Sequence, residues 1–172
     1  MATREQMLAA ITAYMAAHKR ILGYDSTPTW AQGFSPHEVV MKYPLEVGGE
    51  LIGQLWVIGF PRSEDLKFRL QIVMDGPICR LDYTDETHPN SITGYTNGWV
   101  PMVVVGPHYH SWPINQRFFR GVTKPPKLHD ALPYMQPGRT FDAILRWFCT
   151  DTNIDSLPGS HLMGLPGPGL LI

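Results

Sequence analysis

The chain has 172 residues, of which 44% are hydrophobic and 11% aromatic, and this length suits a single domain whose core needs no disulfide or metal for stability. Its aromatic content excludes a disordered chain, and a net charge of −1 excludes a general attraction to nucleic acid or anionic membranes. The two cysteines, Cys79 and Cys149, form no disulfide framework, so we expect a reducing compartment and a cytoplasmic protein.

The N-terminal segment predicts an amphipathic helix. Thr3 can cap it, with Gln6 completing a capping box, and Gly23 can end it. Apolar residues recur at steps of three and four along this segment, at Met7, Leu8, Ile11, Met15, Ile21 and Leu22. The early acid Glu5 and the lack of a continuous apolar run argue against a targeting signal. No stretch approaches the ~20 apolar residues of a membrane span, so we expect no membrane contact.

Four strands joined by short turns follow this helix. The pattern predicts strands at residues 39–47, 51–60, 66–74 and 78–83, with Gly48-Gly49 and Asp75-Gly76 as tight turns. The third strand alternates, with Phe68, Leu70 and Ile72 on one face and charged or polar residues on the other. Short connections of this kind favour an antiparallel meander with one buried face.

The C-terminal half contains fewer regular elements. Residues 86–98 predict a polar loop, and Val100–Val105 is a short apolar run. Residues 140–150 predict a second amphipathic helix, and seven of the sixteen residues in 157–172 are Pro or Gly. We therefore predict an α+β fold with an antiparallel β-meander of four to six strands, an N-terminal helix and a C-terminal helix. This domain spans residues 1–156, followed by a Pro/Gly-rich tail at 157–172.

The segment His108-Tyr109-His110 is the strongest chemical feature of the sequence. On an extended chain, side chains two positions apart point to the same face, so both imidazoles would project together. Such a pair can exchange protons in acid–base catalysis or bind one metal ion. The alternative interpretation is that both are surface or hydrogen-bonded structural histidines.

Arg80, Asp82 and His88 add to this pair. Arg80 and Asp82 share one strand face, where an arginine suits a phosphate and an aspartate can orient a histidine ring. The alternative is an exposed ion pair that contributes less than ~1 kcal/mol and has no function. We take His108, His110, His88, Arg80 and Asp82 as the candidate catalytic residues.

A modest basic and aromatic patch follows the histidine pair. It contains the candidate substrate-binding residues Trp112, Asn115, Arg117 and Arg120. Such a patch can hold single-stranded nucleic acid through phosphate contacts and base stacking. The alternative is that the aromatic residues belong to the core and the charges only flank them.

The order of these motifs resembles a known family. Arg80-Leu81-Asp82, His88-Pro89 and Pro107-His108-Tyr109-His110 resemble the signature region of TumE-type toxins of bacterial toxin–antitoxin modules, over residues 74–115. The chain departs from that pattern at Asp82-Tyr83, where the family tends to have Asp-Asn. The resemblance implies an antiparallel α+β fold, interference with RNA and an antitoxin protein as partner.

Three functional hypotheses remain open. The first is a metal-independent ribonuclease that needs no cofactor, in which His108 or His110 is the general base and His88 the general acid. Arg80 or Arg117 would stabilise the charge on the phosphorane. The second is a cupin-like metal site with His108, His110 and a third ligand such as His88 or Asp82, although no acid follows the pair within residues 111–120.

The third hypothesis is a non-enzymatic interaction module. The apolar segments Leu162–Leu165 and Leu170–Ile172 of the tail would then dock on another subunit, giving a homo-oligomer with structural histidines.

Overall fold

A computed structural model describes residues 3–22, 30–91, 100–119 and 127–155. Gly23, Arg120 and the predicted tail at 157–172 lie outside these ranges. The elements are α1 (Arg4–Ala16), β1 (Lys19–Ile21), β2 (Ala31–Gln32), β3 (Val39–Val47), β4 (Glu50–Gly59), β5 (Phe68–Val73), β6 (Pro77–Tyr83), β7 (Thr87–Pro89), β8 (Val103–Val105), β9 (His108–His110), α2 (Trp112–Asn115) with a 3-10 turn at Gln116–Phe118, β10 (Leu132–Pro133), α3 (Phe141–Asp151) and β11 (Ile154–Asp155).

The described strands form one large sheet and one small one. The large sheet runs in the order β10-β9-β6-β5-β4-β3-β1-β11, with β2 also paired to β3, and β7 and β8 form a separate pair. All pairings are antiparallel except that between β1 and β11. The predicted α+β class is therefore confirmed, but the strands outnumber the four to six expected. The additional strands have two or three residues, which is too short to show a period in the sequence.

The core lies between one face of the large sheet and the two longer helices. Alternate residues of β3 to β6 point into it, as predicted for Phe68, Leu70 and Ile72 of β5, which are at most 1% exposed. The helices add Ile11 and Tyr14 from α1 and Phe141, Ile144, Leu145 and Phe148 from α3. The opposite face of the sheet carries polar side chains together with buried apolar ones such as Val40 and Ile58.

The first helix is shorter than predicted. It begins at the predicted cap, where Thr3 and Gln6 form both hydrogen bonds of a capping box. It ends at Ala16, however, and Ile21 lies in β1. Lys19 explains this end, because its buried ammonium group donates to the carbonyls of Met15, Ala17 and Thr152 at 2.8–3.0 Å. The apolar residues after Ala16 thus belong to a strand, although their spacing continues the helical pattern.

The C-terminal helix agrees with the prediction. Thr140 caps α3 by accepting a hydrogen bond from the Ala143 N–H group. The predicted polar loop at 86–98 is only partly a loop, because its first residues form β7, which pairs with β8. Within the described residues, no helix is both long enough and apolar enough to cross a membrane.

Candidate metal centre

Strand β9 places the two histidines of the His-x-His motif beside β6. In this antiparallel pair His110 lies opposite Arg80, and His108 lies opposite Asp82. All four side chains project to the face of the sheet that does not carry the helices, since Leu81 between them belongs to the core. His108 and His110 are buried, with 4% and 0% of their surface exposed.

His88 reaches the same place from the β7–β8 hairpin. Its ring centre lies 5.0 Å from that of His108 and 4.7 Å from that of His110. One ring nitrogen from each of the three histidines lies within 4.8 Å of the others. The structure therefore brings together three of the candidate residues, although twenty positions separate His88 from His108 in the sequence.

Backbone carbonyls determine which nitrogen of each ring carries the proton. The Nδ1 atom of His108 lies 2.8 Å from the Gly106 carbonyl, and that of His110 lies 3.0 Å from the Asp130 carbonyl. The Nε2 atom of His88 lies 3.0 Å from the His129 carbonyl. A carbonyl oxygen only accepts, so each of these nitrogens donates a proton and the other nitrogen of a neutral ring carries a lone pair. This arrangement is characteristic of histidines that bind metal ions.

Two asparagines hold the segment that supplies two of these carbonyls. Asn115 donates to the Asp130 carbonyl at 2.8 Å and accepts from the Asp130 N–H group at 3.0 Å. Asn90 does the same with Ala131, at 2.8 Å and 2.7 Å. Both asparagines are at most 6% exposed. We call residues 129–131 the orienting segment, because its carbonyls direct the rings of His88 and His110.

Asp82 is the acidic group of the site. Its two oxygens accept hydrogen bonds from Nε of Arg69 at 2.5 Å and from Nε of Arg80 at 2.6 Å. Its Oδ2 atom also lies 3.3–3.5 Å from the Nε2 atoms of His110 and His108. Burial alone would raise the pKa of Asp82, but the guanidinium groups of Arg80 and Arg69 outweigh burial and hold it well below its usual range. The carboxylate is therefore charged at neutral pH.

His88 and His110 are neutral at neutral pH in this environment. Burial lowers the pKa of His110 to about 4, with the nearby Arg80 charge adding to the effect. Burial also lowers the pKa of His88, despite its bond to the His129 carbonyl. In the structure Nη2 of Arg80 lies 2.9 Å from Nε2 of His110, where the guanidinium donates and the imidazole accepts. Arg80 thus occupies the lone pair that would otherwise face a metal ion.

The site opens into a pocket of about 110 Å³ between the sheet and the β7–β8 hairpin. Cationic groups of Lys67, Arg69 and Arg80 line it together with Asp82, His88 and His108. Lys67 pairs with Glu86 at 2.5 Å. The two arginines and Asp82 leave one net positive charge beside the histidines, which favours an anionic ligand.

The predicted substrate-binding patch is not assembled at this pocket. Trp112 is only 2% exposed and donates its indole N–H to Thr12, so it belongs to the core instead of offering a stacking surface. Asn115 is fully buried and its amide is used by Asp130. Both expectations are therefore corrected. Arg117 pairs with the Asp130 carboxylate and supports the orienting segment.

Sequence reasoning missed the orienting segment and its partners. Asp130 and Asn90 lie 20 and 18 positions from His110 and His108, and no motif connects them. Only the fold brings backbone carbonyls of residues 129 and 130 to the histidine rings. Comparison with known proteins adds no further constraint, because the chain matches no protein-family profile, no curated protein and no solved structure.

Proposed function

We propose that the protein binds one divalent transition-metal ion through His88, His108 and His110 and uses it to hydrolyse phosphodiester bonds in RNA. One observation carries the proposal: the three rings each donate to a backbone carbonyl, and one ring nitrogen of each lies within 4.8 Å of the others. Neutral imidazole is the preferred nitrogen ligand of zinc and related ions. Such an ion, with three protein ligands, lowers the pKa of a bound water to ~7 and so supplies a nucleophile at neutral pH.

The surroundings of the centre support a phosphate-ester substrate. Arg69 and Arg80 line the pocket, and a planar guanidinium suits a phosphate oxygen pair. In the structure Arg80 donates to both Asp82 and His110. A metal ion bound to His110 would displace the Nη2 group of Arg80 toward the pocket. There it can stabilise negative charge on the phosphate in the transition state. RNA is the substrate to test first, since the motif order resembles that of RNA-directed toxins.

The metal content of the protein tests the first half of the proposal. We expect about one zinc, iron or manganese ion per chain after purification without chelator, measured by mass spectrometry of the elements. His88→Ala, His108→Ala and His110→Ala should each lose most of it. His37→Ala is the matched control, because His37 is exposed and lies outside the centre. Less than a tenth of an equivalent in the wild type would contradict the metal centre.

Cleavage assays test the second half of the proposal, which is that the protein hydrolyses RNA. Cleavage should stop on treatment with EDTA and return when one of these ions is added, while the His37→Ala control stays active. In a bacterial host, the wild type should arrest growth and degrade total RNA, and His108→Ala/His110→Ala should do neither. A toxin of this kind would act with an antitoxin-like protein partner. If RNA stays intact although the protein carries its full metal content, RNA is not the substrate, while the metal centre still stands.

A metal-independent ribonuclease is the second candidate function. The contact of Arg80 with both His110 and Asp82 favours it, because it places a charge-stabilising group beside an acid–base residue. The lowered pKa values of His88 and His110 weaken it, since a general acid must hold its proton at neutral pH. Cleavage that persists in EDTA, in protein without bound metal, would select this candidate.

A further inference from the structure

An aromatic pair of exposed Phe34 and half-buried Trp56 lies on the same sheet face as the histidine centre. Phe34 is 80% exposed and stacks on Trp56, with ring centres 5.8 Å apart and planes inclined by 25°. The Nζ atom of Lys42 lies 4.0 Å from the Trp56 ring centre and 5.7 Å from that of Phe34. A phenylalanine so exposed leaves its outer ring face open to a ligand.

The strand register connects this pair to the histidine centre. One row of directly opposed residues crosses β3, β4, β5, β6 and β9: Lys42, Trp56, Gln71, Arg80 and His110. Three strand spacings separate Trp56 from His110, a distance of ~14 Å. The row contains two cations and no acid. The aromatic pair and the histidine centre therefore lie on one face of the sheet, and an extended anionic ligand that spans them would pass over Gln71, which is only 8% exposed.

We propose that Phe34, Trp56 and Lys42 form a stacking subsite for a base of single-stranded RNA whose phosphate backbone reaches the histidine centre. This inference rests on the proposed function and names the form of its substrate. A base stacked on an aromatic ring contributes about 1–3 kcal/mol to binding whatever its identity, and a nearby lysine neutralises a phosphate. In double-stranded RNA the bases are paired and cannot reach the ring.

Charge favours RNA over an apolar protein segment as the occupant. Lys42, Arg69 and Arg80 project to this face, and Asp82 on the same face is already paired with both arginines. A protein partner that buried only the aromatic rings would also have to remove the Lys42 ammonium group from water at a cost. A polyanion gains from each of these cations.

Binding of RNA to variants of Phe34 tests the subsite. The probe is a fluorescein-labelled single-stranded RNA of about eight nucleotides, followed by fluorescence anisotropy with EDTA present to prevent cleavage. Phe34→Ala should raise Kd about tenfold, and Phe34→Tyr should restore it. Leu51→Ala is the matched control, because Leu51 is also exposed, at 65%, and lies in β4 beside the turn that joins it to β3. A short RNA duplex should bind the wild type and Phe34→Ala equally.

The outcomes separate the subsite from the proposed function. If the wild type cleaves RNA with metal and Phe34→Ala has unchanged Kd and KM, the subsite is wrong and the function stands. If the wild type holds its metal but neither binds nor cleaves RNA, both the subsite and the RNA substrate are wrong. A loss of affinity in Leu51→Ala equal to that in Phe34→Ala also overturns the subsite, because it shows a nonspecific effect of removing apolar surface.

Discussion

The side-chain amide of Asn115 forms two hydrogen bonds with the backbone of Asp130, one to its carbonyl and one from its N–H group. The same carbonyl accepts the Nδ1 proton of His110. Asn115 therefore acts on the histidine centre through another residue and does not touch a ligand itself. Asn115 is therefore a positioning residue. A shift of Asp130 would rotate the His110 ring and would break the hydrogen bond that keeps the proton on its Nδ1 atom.

Asn115→Asp should weaken metal binding by about 10- to 100-fold. The variant keeps the size of the side chain, but its carboxylate oxygen would face the Asp130 carbonyl without a proton to donate. The measurement is zinc affinity by competition with a chromogenic chelator, together with unfolding by urea to confirm that the variant folds. Gln116→Ala is the control, since the side-chain contact of Gln116 within the described residues is a hydrogen bond donated to the Pro113 carbonyl. Equal zinc affinity in a folded Asn115→Asp would show that the orienting segment does not set ligand geometry.

Arg80→Met should bind metal more tightly than the wild type. The Arg80 guanidinium donates to His110 Nε2 in the structure, so an incoming ion must displace a charged hydrogen bond worth about 1.5 kcal/mol, or roughly tenfold in Kd. RNA cleavage should fall in the same variant, because the group that stabilises the phosphate is lost. Metal titration followed by calorimetry, paired with kcat/KM for RNA, measures both effects.

Arg69→Met is the matched control for this comparison. Arg69 also pairs with Asp82 and carries the same charge, but the contact that the structure gives it in the centre is with Asp82 and not with His110. Both variants remove one positive charge, so a general electrostatic effect would tighten metal binding equally in the two. Only a larger gain in metal affinity in Arg80→Met than in Arg69→Met supports direct competition between Arg80 and the metal ion for the His110 nitrogen.

Metal-free protein should lose stability as the pH falls through the range of histidine. Burial lowers the pKa of His110 from its ordinary value of 6.5 to about 4. Between these values the unfolded chain binds the proton and the folded protein does not, so the free energy of unfolding decreases as the pH falls. The full effect is on the order of 3 kcal/mol. Urea unfolding across this range, in EDTA, should show a smaller slope for His110→Gln and an unchanged slope for His37→Gln.

Much of the fold follows from local sequence signals. Strand β3 has the predicted bounds of residues 39–47, because the glycine pair after it fixes the hairpin and its apolar alternation fixes the buried face. Helix α3 follows from its apolar stripe and the Thr140 cap. The strands β1, β10 and β11 could not be predicted, since two or three residues carry no period and their pairing depends on tertiary contacts.

The candidate site was predictable in part. The period of two on a strand predicts that His108 and His110 share a face, and likewise Arg80 and Asp82. That β9 pairs with β6 follows only from the complete sheet, because 25 residues, 83–107, separate the two motifs. The carbonyls that set the histidine protons carry no side-chain signal at all. Asn115 is an example. Its basic and aromatic neighbours in the sequence predict contact with a substrate, but the fold buries its side chain against Asp130.

Lys19→Met should destabilise the fold by about 2 kcal/mol without changing the histidine centre. The Lys19 ammonium joins the C-terminal ends of two helices, because it donates to the carbonyls of Met15 and Ala17 at the end of α1 and to that of Thr152 at the end of α3. Methionine fills a similar volume but removes a donor from all three carbonyls, of which that of Met15 keeps the Asn153 amide at 3.2 Å. Urea unfolding measures the loss, and Arg20→Met is the control, since Arg20 is 64% exposed and pairs at the surface with Glu46. Unchanged stability in Lys19→Met would mean that other groups or water satisfy the three carbonyls.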